Sequence, residues 1–295
     1  MTKSGLVTII GAPNAGKSTL INFLIGSKVA ITSPKVQTTR AGVKGILTEN
    51  GVQIVFTDTP GIFRPKRRLE KALVKNAWAN MADADEVVVV VDASRRNDND
   101  TADIIEALKH KGIKAFLLLN KTDIVKKENL LSLADKYFAT GVFKEVFMIS
   151  AVTGDGIDDF KKSIRDVMPE GPFYYDEDQI TDMPLRMFVS EIVREKLFLN
   201  LRQELPYALT VETDVFKEDE KGNISVEQTI YVEKEGQRKI ILGKGGSMIK
   251  SIGQAARKEL EEILGVRVSL FLYVKVKENW QEDKTRYLMQ GLPFD

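Results

Sequence analysis

The chain has 295 residues, enough for two ordinary domains, and its 43 basic and 42 acidic residues leave a net charge of +1. It has no cysteine and a single histidine, which excludes disulfides, thiolate catalysis and cysteine-ligated zinc and argues against a histidine-based metal site. No apolar run approaches the about 18 residues needed to span a bilayer, and no secretory signal is visible, so we expect a soluble cytoplasmic protein.

The first predicted strand, Leu6–Ile10, leads directly into Gly-Ala-Pro-Asn-Ala-Gly-Lys-Ser at residues 11–18. This is the spacing of a Walker A loop, in which a glycine-rich turn between a strand and a helix aims backbone N–H groups at phosphate. Lys17 is placed to reach the β- and γ-phosphates, and the Ser18 hydroxyl to bind Mg²⁺. The candidate phosphate-binding residues are Gly11, Ala12, Pro13, Asn14, Ala15, Gly16, Lys17, Ser18, Thr19 and, from a later segment, Gly61.

The stretch after the predicted helix Ser18–Ile25 contains Gln-Thr-Thr-Arg at residues 37–40. A threonine here would complete the Mg²⁺ shell when a triphosphate is bound, and the loop would relax after hydrolysis. Spacing alone does not choose between Thr38 and Thr39.

The strand-like run Val52–Phe56 leads into Asp-Thr-Pro-Gly-Ile at residues 58–62. Asp58 is placed to hold a water on Mg²⁺, and the Gly61 N–H to meet the γ-phosphate. Ras-like GTPases carry Gln in the next position to orient the attacking water, whereas Ile62 can neither donate nor accept a hydrogen bond. We therefore expect slow intrinsic turnover, about 10⁻⁴ to 10⁻³ s⁻¹. No general base is evident, because His110 lies far from every motif, in a predicted helix end.

Two further apolar runs, Ala115–Leu119 and Val146–Ile149, lead into Asn-Lys-Thr-Asp at 120–123 and Ser-Ala at 150–151. One carboxylate can accept both the N1–H and the N2–H₂ of guanine, a pair that adenine lacks, so an Asp in the first of these segments selects guanine. The aliphatic stem of Lys121 can cover the purine ring, and the backbone N–H of Ala151 can donate to guanine O6. The candidate guanine-binding residues are Asn120, Lys121, Asp123, Ser150 and Ala151.

Strand-like runs alternate with helical patterns over residues 1–170, which predicts an α/β domain around a mostly parallel sheet. The predicted helices are Ser18–Ile25, Lys71–Met81, Thr101–Lys111, Lys127–Phe138 and Gly156–Val167. Ligands bind at the carboxyl ends of parallel strands, so the four motifs should converge. Together they resemble those of the translation-factor-related GTPases, and we expect a P-loop GTPase domain. Proline, glycine and clustered acid then predict a linker over residues 171–184.

The rhythm of the sequence changes over residues 185–295, which predict a second, α+β domain. Its predicted elements are a helix Leu185–Leu199, a hairpin of Ala208–Phe216 and Ile224–Val232, a long helix Ser247–Leu264, a strand Val266–Val276 and a terminal helix Trp280–Gln290. A short segment, Gln237–Leu242, precedes the glycine-rich run Gly-Lys-Gly-Gly at 243–246.

The order of these elements resembles a type II K homology RNA-binding domain, in which a Gly-x-x-Gly loop joins two helices. Such a loop lets the RNA backbone approach closely and clamps about four single-stranded nucleotides, whose bases lie over an apolar groove. Residues 236–258 hold six basic residues and no acid, as phosphate contact requires. The candidate RNA-binding residues are Arg238, Lys239, Ile241, Gly243, Lys244, Gly245, Gly246, Lys250 and Arg257.

A GTPase domain followed by a K homology domain resembles the Era family of bacterial GTPases over essentially the whole chain. The resemblance implies Mg²⁺ as cofactor, GTP and GDP as substrate and product, and a monomer that grips the single-stranded 3′ end of small-subunit ribosomal RNA during small-subunit assembly. It favours Thr39 as the Mg²⁺ ligand. It also implies peripheral association with the inner membrane, which no residue in the sequence indicates.

Several alternatives stay open. By resemblance to related GTPases Asn14 would help to bind K⁺, or it merely tolerates a strained turn. Nucleotide state is expected to gate RNA binding, and RNA to speed hydrolysis. The competing hypotheses are a tRNA-modifying or other RNA-processing GTPase, which would need a third constellation of residues that is not visible, and an RNA-binding scaffold whose nucleotide is structural.

Overall fold

The computed structural model describes residues 2–35, 38–40, 42–95, 98–284, 287 and 292–294. The chain divides into two compact units. The first comprises the described residues of Met1–Thr32, Val36–Asp182 and Tyr287–Asp295, and the second those of Ser33–Lys35 and Met183–Arg286. Gln37 of the predicted motif at 37–40 lies outside the described residues.

The first unit is built on a sheet whose strands, among the residues described, are β1 (Lys3–Ile10), β2 (Val43–Glu49), β3 (Val52–Asp58), β4 (Glu86–Asp92), β5 (Ala115–Asn120) and β6 (Phe143–Met148). The strand order is β2-β3-β1-β4-β5-β6. Neighbouring strands run parallel except for β2 and β3, which are antiparallel. The mostly parallel sheet is confirmed, and its antiparallel edge strand β2 was not predicted.

Helices cover both faces of this sheet, so its strands read as nearly continuous apolar runs. The helices are α1 (Lys17–Ile25), α2 (Arg68–Ala79), α3 (Asn99–Lys111), α4 (Lys127–Phe138) and α5 (Ile157–Asp166). One hydrophobic core lies between one face of the sheet and helices α1 and α5. A second lies between the opposite face and helices α2, α3 and α4. The predicted helices are confirmed to within three residues at each end.

The predicted linker lies mostly within the first unit, because several of residues 171–182 are hydrogen-bonded to β2 and β3. The buried side chain of Gln53 accepts from the N–H groups of Tyr174 and Tyr175 at 2.8 and 3.0 Å. The Ile46 N–H donates to the Ile180 carbonyl at 2.9 Å. A segment rich in proline, glycine and acidic residues can be a free linker or can be hydrogen-bonded to a sheet. Composition alone therefore could not predict which of the two residues 171–182 would be.

The second unit contains α6 (Leu185–Asn200), β7 (Leu209–Glu218), β8 (Ile224–Val232), α7 (Glu235–Leu242), α8 (Ser247–Leu264) and β9 (Val268–Val276). β7 and β8 form the predicted antiparallel hairpin, and β9 adds to β8 in parallel. The three helices pack on this sheet and on one another. The fold class, a P-loop domain followed by an α+β domain with type II K homology topology, is confirmed.

The predicted terminal helix Trp280–Gln290 is described only in part. A single helical turn covers Trp280–Glu282, and residues 285, 286 and 288–290 lie outside the described residues. In the part of the chain that the structure describes, no helix combines the length and apolar character needed to cross a membrane.

Candidate functional site

The glycine-rich loop at residues 11–18 joins β1 to α1 at the carboxyl end of the sheet. Two of its glycines are required by close approach. A Cβ on Gly11 would lie 2.3 Å from the Val90 carbonyl oxygen, and one on Gly16, whose φ is +100°, would lie 2.2 Å from Asn120 Nδ2. The loop therefore passes too close to β4 and to the end of β5 for any larger residue.

Lys17 is buried at the base of this loop, where its ammonium donates to the carbonyl oxygens of Gly11 and Ala12, both at 3.0 Å. Burial lowers the pKa of Lys17 to about 8, with a smaller lowering from Arg95 and an opposing effect of the Asp58 charge. A cation held in a dry loop of this kind is poised to bind an anion, because a phosphate would replace the solvation that the ammonium has lost.

Ser18, Thr39 and Asp58 form a buried cluster beside the loop. The hydroxyls of Ser18 and Thr39 donate to Asp58 Oδ2 at 2.6 and 2.8 Å and lie 3.2 Å from each other. Asp58 Oδ1 is buried and has no hydrogen-bond partner among the described residues. Burial raises the pKa of Asp58, against the opposing effects of Lys17 and of the two hydroxyl bonds. Two hydroxyls and a carboxylate with an unused oxygen are the hard oxygen donors that Mg²⁺ prefers.

The segment after Asp58 runs against the phosphate loop. A Cβ on Gly61 would lie 2.9 Å from Pro13 Cα, so only glycine allows this approach. The Ile62 N–H donates to the Gly11 carbonyl at 3.1 Å. The Ile62 side chain is buried and belongs to the same hydrophobic core as Ile10 and Val89. The position that carries Gln in Ras-like GTPases is therefore part of the packing here.

Asn120 connects the phosphate loop to the Ser-Ala segment. Its Nδ2 donates to the Ala15 carbonyl at 2.8 Å, and its Oδ1 accepts from the Ala151 N–H at 2.9 Å. The donation from the Ala151 N–H to guanine O6 stays a prediction. Asn120 thus holds these loops together, and its predicted contact with guanine stays a prediction, since its amide has a second hydrogen to donate.

Asp123 lies in a single helical turn, Thr122–Ile124, and its carboxylate accepts from the Ser150 hydroxyl at 2.7 Å. The Ser150 side chain is fully buried, whereas Asp123 is exposed. Because the carboxylate is exposed, it would lose its water only when a base covers it. A base without matching N–H groups would then leave it unpaired, at a cost in binding free energy. The serine orients the acid for that role.

The other predicted residues of the nucleotide site are Asn14, Thr19 and Lys121. Asn14 has a left-handed φ of 62°, which fits the strained-turn interpretation and leaves the K⁺ interpretation open. Thr19 is half-buried in the first turn of α1. Lys121 also has a left-handed φ, 69°, and its ammonium is held by Asp92, a residue that the sequence analysis did not single out.

In the second unit, the glycine-rich loop between α7 and α8 takes a conformation that side chains disfavour. Gly243, Gly245 and Gly246 have φ values of 71°, 59° and 78°. A Cβ on Gly243 would lie 2.8 Å from Met248 Cβ and 2.9 Å from its backbone nitrogen, while Gly245 and Gly246 face open space. The loop thus presents bare backbone to solvent at the N-terminus of α8, a geometry suited to a phosphate group.

Beside this loop runs a groove of about 400 Å³ between α8 and β9. Its α8 wall includes Lys250, Gly253 and Arg257, and its β9 wall includes Phe271 and Tyr273. The two aromatic side chains are 52 % and 48 % exposed. Sequence analysis missed them, although Ser269 and Lys275, at alternate positions of the same strand, mark the exposed face that they share.

The predicted RNA contacts divide into two groups. Lys239, Lys244, Lys250 and Arg257 are exposed, so their charges face solvent. One prediction is contradicted, because Ile241 is fully buried and its side chain is not available to RNA. Arg238 pairs with Glu235 at 2.9 Å and donates to the Val274 carbonyl at 3.2 Å, and its contact with RNA stays a prediction.

Comparison with known proteins agrees with this division into two sites. Residues 6–121 match the family described as 50S ribosome-binding GTPase, and residues 204–281 match the KH domain. The chain is 53 % identical over 296 residues to the GTPase Era of Afipia carboxidovorans, covering 99 % of this chain and 95 % of that protein.

Two solved structures resemble the chain over its whole length at 37 % identity. One is an Era variant from Aquifex aeolicus bound to GDP and aluminium fluoride, with a TM-score of 0.92 and coverage of 98 % of this chain and 99 % of that one. The other is Era in complex with MgGDPNP and nucleotides 1506–1542 of 16S ribosomal RNA, with a TM-score of 0.93 and coverage of 99 % of both chains.

Proposed function

This chain belongs to the GTPase Era family, and from that premise we propose that its nucleotide state sets how tightly its second unit holds single-stranded ribosomal RNA during small-subunit assembly. The observation that carries the proposal is the cluster of Ser18, Thr39 and Asp58, since it joins a phosphate-loop residue to a threonine of the segment that should respond to the γ-phosphate. A contact of that kind can exist in one nucleotide state and be lost in the other.

Mg²⁺ fits this cluster. Its ligands would be the hydroxyls of Ser18 and Thr39, with Asp58 acting directly or through water, and the partnerless Asp58 Oδ1 supplies the needed acceptor. When bound, the ion would neutralise charge on the β- and γ-phosphates. The related Era structure holds MgGDPNP, which supports the same cofactor and nucleotide class here. Thr39 is proposed in preference to Thr38, because its hydroxyl already lies against Ser18 and Asp58.

Guanine specificity is proposed to come from Asp123, oriented by Ser150. Adenine would present a bare ring nitrogen, N1, and a C2–H to this carboxylate, so the desolvation of the carboxylate would go uncompensated. Asn120 would act by holding the Ser-Ala segment and the phosphate loop in register.

Hydrolysis is proposed to be slow without help. Ile62 is buried and cannot orient a water molecule, and the described residues near the cluster include no histidine. Asn14 is the proposed ligand for a K⁺ ion that would supply the missing positive charge. Measuring turnover in KCl and in NaCl tests this: faster turnover in KCl is expected, and equal rates would remove K⁺ from the mechanism.

RNA is proposed to bind the loop at Gly243–Gly246 and the groove beside it. The bare loop and the ammonium groups of Lys244 and Lys250 would take phosphates, while bases would stack on Phe271 and Tyr273 in the groove. The related Era structure that contains a 16S ribosomal RNA segment supports this ligand class. We place this activity in a cytoplasmic monomer; association with a membrane stays a prediction of the family resemblance.

The proposal is tested by GTP turnover with and without a single-stranded fragment from the 3′ end of 16S ribosomal RNA. RNA should raise kcat in the parent protein, and Lys244→Glu should lose this stimulation because a carboxylate repels phosphate. The matched control is Lys221→Glu, an exposed lysine in the β7–β8 turn, which should keep it. Turnover that ignores RNA in the parent would favour a scaffold whose nucleotide is structural.

A further inference from the structure

Asp92, the last residue of β4, has a buried carboxylate that accepts hydrogen bonds from Lys121 and Ser94. It is 4 % exposed. Its Oδ2 accepts from the Lys121 ammonium at 2.6 Å, and its Oδ1 accepts from the Ser94 N–H and hydroxyl at 3.0 and 2.5 Å. These bonds outweigh the effect of burial, so that the pKa of Asp92 lies below its usual range. The acid is therefore a fixed negative charge directed at Lys121.

Arg95 extends this contact to the phosphate loop. Its Nη2 donates to the Pro13 carbonyl at 2.8 Å, and its Nε lies 3.5 Å from Asp92 Oδ2. Its Nη1 lies 3.9 Å from Asp98, which caps α3 through a 3.0 Å bond from the Thr101 N–H. A chain of contacts thus runs from the phosphate loop through the β4–α3 connection to the base-recognition segment.

We infer that Asp92 is a positioning residue for guanine nucleotide binding, which holds Lys121 over the purine site and, through Arg95, keeps that site in register with the phosphate loop. The inference rests on the proposed guanine site. A lysine stem has four rotatable carbons, and covering a base would freeze them. Because Asp92 already fixes the ammonium, and the left-handed backbone at Lys121 fixes the stem's origin, most of that ordering is complete before the nucleotide arrives.

A purely structural ion pair would have a different consequence. It would stabilise the fold, and removing the Asp92 carboxylate would change the Kd for nucleotide by the same factor whether or not Lys121 is present. If Asp92 acts through Lys121, the two residues must be coupled: once the ammonium is gone, the cationic contact left to the carboxylate among the described residues is the longer one, 3.5 Å, with Arg95. A double-mutant cycle on affinity separates these cases.

The experiment measures the Kd for GDP in the parent, Asp92→Asn, Lys121→Met and the double variant. Asparagine keeps the acceptor for Ser94, and methionine keeps the apolar stem. Each single change should weaken GDP about tenfold, and the double about tenfold rather than the hundredfold that independent effects give. In Asp92→Asn the loss should appear in the KM for GTP rather than in kcat, because the lost contact serves substrate and transition state alike. Glu86→Gln, which breaks an ion pair with Lys144 at the other end of β4, is the control and should leave Kd unchanged.

The outcomes are distinguishable. A hundredfold loss in the double variant, or an Asp92→Asn protein that binds GDP like the parent, overturns the inference while leaving the guanine site intact. A parent protein that does not bind GDP overturns the proposed function instead. Thermal unfolding of each variant without nucleotide reports its folding. If Asp92→Asn does not fold, Asp92→Glu, which keeps the charge but moves it by one methylene, replaces it in the same cycle, with the same expected non-additivity and the same refuting result.

Discussion

Lys17 should take up a proton when nucleotide binds at alkaline pH. Its ammonium is buried between the carbonyl oxygens of Gly11 and Ala12, and its pKa is lowered to about 8. Bound phosphates favour the charged form, so binding raises this pKa again. The uncharged fraction of Lys17 in the free protein, which equals the proton uptake on binding, is then about 0.1 at pH 7, 0.5 at pH 8 and 0.9 at pH 9.

Isothermal titration of GDP with Mg²⁺ in pairs of buffers that differ only in ionisation enthalpy measures this uptake directly. The sign identifies the group, because titration of the nucleotide phosphates exchanges fewer protons as pH rises, whereas uptake by Lys17 grows. The affinity for GDP should fall over the same range, by about tenfold from pH 7 to pH 9. Uptake that is no larger at pH 9 than at pH 7 would show that Lys17 is already charged at both, and would refute the argument from burial.

Two further predictions concern one residue in each unit. Asp58→Asn should reduce the gain in GDP affinity that Mg²⁺ gives over EDTA, because the amide removes the charge but keeps an acceptor for Ser18 and Thr39; a gain equal to that of the parent would contradict the metal site. Gly243→Ala should weaken RNA binding, because its Cβ would lie 2.8 Å from Met248 Cβ. The control Gly222→Ala, at a φ of 77° with its nearest atom 3.8 Å away, should lose about 1–2 kcal/mol of stability and keep its RNA affinity in a binding titration. Gly243→Ala, at φ 71° and ψ 178°, should lose more stability as well as RNA affinity.

The regular elements could be predicted because their local signals agree with the fold. The long helix Ser247–Leu264 begins after the glycine loop and ends at Gly265, whose φ of 69° is the usual helix stop, and both bounds were predicted. β2 was missed, although a signal for it exists. Asn50 and Gly51, with φ values of 53° and 75°, form the tight turn that joins it to β3, and an Asn-Gly pair between apolar runs is a strong hairpin indicator.

The glycine motifs and the residue types of the nucleotide site were visible in the sequence, because close backbone approach and phosphate binding impose them. What could not be read was how side chains are shared between segments far apart in the chain. Asn120 spends both polar atoms on Ala15 and Ala151, and Asp92 holds Lys121 across 29 positions. The same limit applies to Gln53, whose bonds to Tyr174 and Tyr175 turn a segment of linker composition into part of the first unit.

Coupling between the two sites is tested most directly by measuring the affinity of one fluorescent single-stranded RNA from the 16S 3′ end for the protein loaded with a non-hydrolysable GTP analogue and with GDP. Salt and Mg²⁺ must be held constant, since phosphate contacts make affinity steeply salt-dependent. The analogue-loaded protein should bind the RNA at least about fivefold more tightly, the lower end of typical coupling between sites. Equal dissociation constants in the two states would contradict control of RNA binding by nucleotide, whatever each site binds alone.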